Sequence, residues 1–158
     1  MSSRTKHFAF SLVLVFSLAA WAGAGDDQAQ IKAKAQAEKD PIKRAQLEIR
    51  LAQIRLDGAQ KAYEQGMHDK GLAELKEMMA LVQDAHNRMF ETGRNPRKKP
   101  KGFKEAEIKF REMTRRLKDL RLSIPVDDRD PLDSMIAKIS RMQERLLKGL
   151  MQVDEAKQ

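Results

Sequence analysis

The chain has 158 residues, of which 41% are hydrophobic and 34% charged, and its 31 Lys and Arg outnumber its 23 Asp and Glu to give a net charge of +8. This length allows one domain with a single hydrophobic core. The absence of cysteine excludes disulfides, thiol catalysis, a lipidated cysteine and a Cys-x-x-Cys-His haem attachment.

Residues 1–24 have the three parts of a secretory signal peptide. Arg4 and Lys6 supply a basic start, an apolar stretch covers residues 8–21, and small residues occupy positions 22–24. The apolar stretch is about 14 residues long, whereas a membrane-spanning helix needs roughly 20. We therefore expect cleavage before Gly25, export to the periplasm or the exterior of a bacterial cell, and a mature form without a transmembrane helix. Loss of Arg4 and Lys6 lowers the net charge from +8 to +6.

The mature chain begins with an Ala-, Gln- and Lys-rich segment at residues 25–40. Its composition favours helix, but Ile31 is its only large apolar side chain, so it has little apolar surface to bury. We expect a frayed or loosely docked helix here. One helical domain over residues 41–152 and a short tail at residues 153–158 follow.

A helical hairpin is predicted at the start of that domain. Asp40 and Pro41 form a typical helix start, with a capping carboxylate before a proline at the first helical position, and Gly66 ends the helix. Asp69 is the expected N-cap of a second helix, which reaches about Glu91 and runs antiparallel to the first. The apolar residues at helical spacing are Ile42, Leu47, Ile49, Leu51, Ile54 and Leu56 in the first helix, and Leu72, Leu75, Met79, Val82 and Met89 in the second.

Two more helices are predicted after a loop at residues 93–102 that contains glycine and proline. The first has the clearest apolar stripe in the chain, with alternating steps of three and four residues. Its members are Phe103, Ala106, Phe110, Met113, Leu117 and Leu120. The second begins with Asp130 as N-cap and Pro131 at the first helical position, and it runs to about Gln152. Because no segment alternates as a strand does, the expected fold class is all-α, as antiparallel helical hairpins or a four-helix bundle.

Part of the predicted hairpin resembles one tetratricopeptide helix-turn-helix unit. The likeness covers residues 56–79 and lies in AYEQG at residues 62–66 and DKGL at residues 69–72, with small residues at Ala59 and Gly71 where that motif brings its two helices together. The pattern does not recur about 34 residues later, so a repeat array with a peptide groove is not expected. The resemblance implies hairpin geometry and a protein-interaction role. The rest of the chain is similar to secreted bacterial helical proteins.

The predicted loop holds most of the uncompensated charge. Between Thr92 and Lys104 the chain has six basic residues and no acidic one. They are Arg94, Arg97, Lys98, Lys99, Lys101 and Lys104. Clustered cations attract phosphate or carboxylate polymers and anionic lipid, which makes these six residues the candidate anion-binding site. The alternatives are a solvated connector and a contact for an acidic patch on a protein partner. Nucleic acid is not an expected partner of an exported protein.

The other chemistry-bearing residues favour structural roles. Three i,i+4 ion pairs are predicted on the helix after the basic loop: Glu105–Lys109, Glu107–Arg111 and Glu112–Arg116. The methionines lie largely on apolar stripes, where a thioether fills the core, and the aspartates at residues 127–133 lack the glycine and distal glutamate of a calcium loop. No serine or threonine of the predicted domain adjoins a histidine. We therefore expect no enzyme, no catalytic residue, no metal and no cofactor.

These patterns predict a non-enzymatic binding protein of the periplasm or the cell exterior. The first expectation is an adaptor that engages a protein partner through the helical hairpin. The alternative is charge-mediated binding of anionic envelope lipid or polymer by the basic loop at residues 94–104. The two differ in salt dependence, because salt screens charge attraction and has much less effect on the burial of apolar helix surface.

Overall fold

The computed structural model describes residues 23–151, and within that range the protein is all-α with no strand. The helices are α1 (Gly23–Ala37), α2 (Pro41–Glu64), α3 (His68–Glu91), α4 (Pro100–Ser123) and α5 (Arg129–Met151), with a 3-10 turn at Val126–Asp128. The predicted all-α fold class is confirmed. Most of the predicted signal peptide and all of the predicted tail lie outside the described residues.

The helix expected in the Ala-, Gln- and Lys-rich segment is α1, which packs on α2. Within its residues 27–37 the buried side chains are Ile31 and Ala35, each 5% exposed. The two lie on one helix face because they are four residues apart. The apolar area that docks α1 is therefore small.

α2 and α3 form the predicted antiparallel hairpin. α2 begins as predicted, because the Asp40 carboxylate accepts hydrogen bonds from the backbone N–H groups of Ile42 (2.8 Å) and Lys43 (3.4 Å). The two helices approach closely near their connection. A Cβ atom at Gly71 would lie 2.6 Å from the Tyr63 ring, so glycine is what allows this approach.

The turn between α2 and α3 is shorter than predicted. Gly66 follows the end of α2 with a φ of 72°, a left-handed conformation that favours glycine at helix ends. The predicted N-cap of α3 at Asp69 is wrong, because Met67 holds that position and Asp69 lies in the first turn. The physical cause of this earlier start is the hydrogen bond from the Met67 N–H to the Ala62 carbonyl (2.8 Å). This bond ends α2, and the chain resumes helical conformation at the next residue, His68.

α4 starts earlier than predicted. The loop expected over residues 93–102 ends at residue 99, because Pro100 takes the first helical position, where the missing N–H removes no helical hydrogen bond. Gly102 is buried in the first turn of α4, and a Cβ there would overlap Ile42 Cγ2 of α2. This glycine therefore serves the packing of α4 on α2.

α4 and α5 form a second antiparallel hairpin. The predicted N-cap at Asp130 is wrong by two residues, because the 3-10 turn at Val126–Asp128 leads directly into a helix that begins at Arg129. Near the turn, Arg121 Nε donates to Asp133 Oδ1 at 2.5 Å. Further from it, Gln143 Nε2 donates to Glu107 Oε1 at 3.0 Å. These bonds join α4 and α5 both near the turn and further along the hairpin.

The two hairpins share one hydrophobic core. All six residues of the α4 stripe are buried, as predicted, whereas Leu47, Ile54 and Leu72 of the predicted stripes are half-buried. α2 contacts α1, α3 and α4, and α5 contacts α3 and α4. Large core side chains less than 2% exposed include Leu56, Leu75, Val82, Phe110, Met113, Leu117, Ile139 and Leu146.

Phe110→Ala should lower the free energy of unfolding by about 3–5 kcal/mol, because it removes an aromatic ring from a closed core and leaves a cavity. Phe110 is 0% exposed. Urea unfolding followed by circular dichroism checks this. The control is Leu122→Ala, at a side chain that is 77% exposed, which should shift stability by less than about 0.5 kcal/mol. Equal effects of the two changes would contradict the assignment of the core.

Candidate anion-binding site

The structure divides the six predicted site residues between two elements. Arg94, Arg97 and Lys98 lie in the segment that joins α3 to α4, and Lys99 is the N-cap of α4. Lys101 and Lys104 lie on the first turns of α4. The site is therefore not a single flexible loop.

Arg94 is neutralised by an acidic partner far away in sequence. Its guanidinium donates to both carboxylate oxygens of Asp40, with distances of 3.0, 3.1 and 3.2 Å. The hydrogen bond from Arg94 lowers the pKa of Asp40 below its ordinary value. The expectation that Arg94 contributes uncompensated charge is wrong, because the same carboxylate caps α2 and ties the α3–α4 connection to that helix end.

The rest of the connection is a hydrogen-bonded turn. The Asn95 side-chain oxygen accepts from the backbone N–H groups of Arg97 (2.9 Å) and Lys98 (3.4 Å), and the Asn95 carbonyl accepts from the Lys99 N–H (3.1 Å). An Asn side chain that bonds residues two and three positions later is a common way to form such a turn. The turn leads the chain into α4 at a defined position.

A groove of about 420 Å³ lies along the junction between the start of α2 and the start of α4. Four exposed lysines line it: Lys43, Lys99, Lys101 and Lys104. Ile42 and Phe103, both buried, contribute apolar surface to its lining. We call this region the basic groove.

Lys43 is the residue of the basic groove that the sequence analysis missed. It lies on α2, 56 or more positions before the other three lysines. The one signal in the sequence of a close approach between α4 and another element was Gly102, the last residue of the predicted loop. It did not indicate which element that was.

The start of α4 adds to the positive potential of the groove, whereas the N–H groups of Ile42 and Lys43 at the start of α2 are already bound by the Asp40 carboxylate. Within the described chain, the first turns of α2 and α4 contain no acidic residue, and Lys99 makes no side-chain capping bond to α4. Unpaired N–H groups at a helix start carry partial positive charge. Asp40, the acid that lines the groove, is bound by Arg94. The arrangement favours an anionic ligand.

The ion pairs on α4 differ from the predicted ones. Glu107–Arg111 is present at 3.8 Å, but the other two predicted pairs are wrong. Glu105 accepts from Gln46 Nε2 of α2, and Glu112 pairs with Lys109 at 3.0 Å. The third cation of the predicted pairs, Arg116, instead pairs with Asp57 of α2 at 2.5 Å. Two of these contacts, those of Glu105 and Arg116, are with α2, and spacing within a single helix cannot reveal them.

The described residues offer little for other kinds of site. Within residues 23–151, no group of three or more His, Asp or Glu is placed to hold a metal ion. His86 is 5% exposed and packs against Phe90 with 4.8 Å between ring centroids, and burial lowers its pKa. No helix of this range is both long and apolar enough to cross a membrane.

Comparisons with protein-family models, with curated proteins and with solved structures find no match to this chain. The functional argument therefore rests on the chemistry of the basic groove.

Arg94→Gln should lower the urea midpoint of unfolding at neutral pH, because Asp40 loses a bidentate, charge-assisted partner. Since the native pKa of Asp40 is below 3.8, the ion pair stabilises the fold above that value and loses its effect as the pH falls through the native pKa. The difference between wild type and variant should thus be constant above pH about 5 and shrink below pH 3.8. Urea unfolding at stepped pH measures it.

The control for this prediction is Lys98→Gln, at an exposed lysine of the same connection. It should leave the urea midpoint nearly unchanged at every pH. A difference between wild type and Arg94→Gln that did not depend on pH would show that the Asp40 carboxylate is not the partner that matters.

Proposed function

We propose that the protein binds an anionic component of the cell envelope, a lipid headgroup or an acidic polymer, through the basic groove. The observation that carries the proposal is the convergence of four lysines from two helices on one concavity. None of the four forms an ion pair with another residue of the described range 23–151. Their charge is available to an external ligand.

The expected strength of binding is moderate. A lysine near an anionic lipid surface gains about 1 kcal/mol, and part of this is lost when its long side chain is ordered. Because the four lysines are on or next to helix starts, the backbone that holds them needs no further ordering. Binding through such charges weakens as salt rises.

The predicted export supports an envelope component as the ligand. If residues 1–24 are removed as a signal peptide, the domain meets lipid headgroups and acidic polymers outside the cytoplasm. Nucleic acid, the other abundant polyanion, is not expected in that compartment.

An adaptor that binds a protein partner through the α2–α3 hairpin remains the alternative. It has less support, because apolar side chains of the hairpin such as Leu75, Met78 and Val82 are 0% exposed. Those side chains are already used in the core and are not available to a partner.

Lys99→Gln/Lys101→Gln/Lys104→Gln should weaken binding to anionic vesicles at least about tenfold, because three of the four lysines lose their attraction to the surface. Co-sedimentation with vesicles of phosphatidylglycerol and phosphatidylcholine measures the affinity. Wild type should bind at about 0.01 M ionic strength, where the Debye length is about 30 Å, and much less at about 0.15 M, where it is about 8 Å.

The matched control is Lys138→Gln/Arg141→Gln/Lys148→Gln on α5, which removes the same charge from exposed positions outside the groove. Its binding should stay within about twofold to threefold of wild type, since only the long-range field changes. Equal losses in the two triple variants would mean that net charge alone drives binding. No binding of wild type to anionic vesicles at low salt would favour the adaptor.

A further inference from the structure

The basic groove continues into a second, larger groove. That groove has a volume of about 590 Å³ and lies between α2 and α4 beyond their first turns. Lys43 and Gln46 line both grooves, so the two grooves adjoin along the α2–α4 junction, and we refer to the pair as the channel. We call the larger part the apolar groove.

The lining of the apolar groove differs from that of the basic groove. Ile49 (3% exposed) and Ala106 (1% exposed) are buried, and Leu47 is half-buried beside them. Charged residues of both signs also line this groove: Glu38 and Glu105 with Lys43, Arg50 and Lys109. The charges that line the basic groove are mostly positive, whereas those that line the apolar groove are of both signs.

One hydrogen bond crosses the channel near the point where the two grooves join. Gln46 Nε2 of α2 donates to Glu105 Oε2 of α4, and both groups are exposed to solvent. Water can replace an exposed side-chain bond of this kind at small net cost. The bond therefore does not close the channel to a ligand.

One end of the channel has four lysines, and the other has Leu47, Ile49 and Ala106 between charges of both signs, which fits a molecule with an anionic head and an apolar chain. We propose that the channel binds a single-chain amphiphile with a phosphate headgroup, with the phosphate at Lys43, Lys99, Lys101 and Lys104 and the alkyl chain along Leu47, Ile49 and Ala106. This inference rests on the proposed function, since the headgroup uses the basic groove. It goes further in placing a hydrocarbon chain in an open groove on the protein surface.

The length of the alkyl chain distinguishes binding in the channel from attraction to a charged surface. Each methylene that leaves water gains up to about 0.8 kcal/mol, or roughly fourfold in affinity, and a chain in an open groove gains part of this. Affinity should therefore rise about twofold to fourfold per methylene. A site that recognises the phosphate alone would show no such trend.

Isothermal titration of the protein with octyl, decyl and dodecyl phosphate, each below its micelle-forming concentration, tests the inference. Affinity should increase with chain length, with dodecyl phosphate bound at a stoichiometry of one. Inorganic phosphate supplies the headgroup without the chain, and dodecyl maltoside supplies the chain without the charge. Both should bind at least tenfold more weakly than dodecyl phosphate.

Two variants place the chain in the apolar groove. Leu47→Gln removes apolar surface and should weaken dodecyl phosphate binding about tenfold while changing inorganic phosphate binding little. Gln53→Trp fills the groove at a half-buried lining position and keeps the test valid if Leu47→Gln is unstable. The control is Leu122→Gln, at an exposed leucine outside the groove, which should bind as wild type does.

The inference is overturned if octyl and dodecyl phosphate bind equally, if dodecyl maltoside binds as well as dodecyl phosphate, or if Gln53→Trp binds like wild type. Vesicle binding that is retained by Gln53→Trp and lost in Lys99→Gln/Lys101→Gln/Lys104→Gln would in that case leave the basic groove as a surface-binding site. Chain-dependent binding of dodecyl phosphate without any binding to anionic vesicles would instead contradict the membrane form of the proposed function and support the channel.

Discussion

The close contact between Gly102 and Ile42 is the constraint on which the candidate site depends. It brings the first turn of α4 against the first turn of α2, at a distance where a Cβ on residue 102 would overlap the Ile42 side chain. Glycine is unfavourable within helices by roughly 1 kcal/mol relative to alanine. Its presence here is explained by packing, since it allows two helix starts with their lysines to share one groove.

The ion pair between Asp40 and Arg94 links stability to binding. Asp40 caps α2 and binds Arg94, so the segment that carries Lys99 is held to the helix that carries Lys43. Of six cations that seemed equivalent in the sequence, Arg94 supports the fold and Lys99, Lys101 and Lys104 line the groove. Substitution of all six cations would therefore lower both stability and binding. Substitution of only Lys99, Lys101 and Lys104 tests binding while the Asp40–Arg94 ion pair is kept.

Features encoded within one helix could be predicted, and features that depend on contacts between helices could not. The α4 stripe, the Asp40 cap and the end of α2 at Gly66 follow from local spacing and capping chemistry, and the structure confirms them. The partners of Arg94, Glu105 and Arg116 lie on α2 or at its N-cap, more than 50 residues away, and no local pattern identifies them. The basic region was found, but its fourth lysine and its shape as a groove required the packing of α4 on α2.

A double-mutant cycle between Gly102→Ala and Ile42→Ala, measured as free energies of unfolding in urea, tests this account most directly. In the wild-type background Gly102→Ala should destabilise the protein by about 1–3 kcal/mol, because the added methyl group overpacks the contact. In the Ile42→Ala background the space is free, so the same change should be neutral or stabilising by up to about 1 kcal/mol, as expected for alanine in place of glycine in a helix. Equal effects in both backgrounds would contradict the claim that this contact sets the position of α4 on α2.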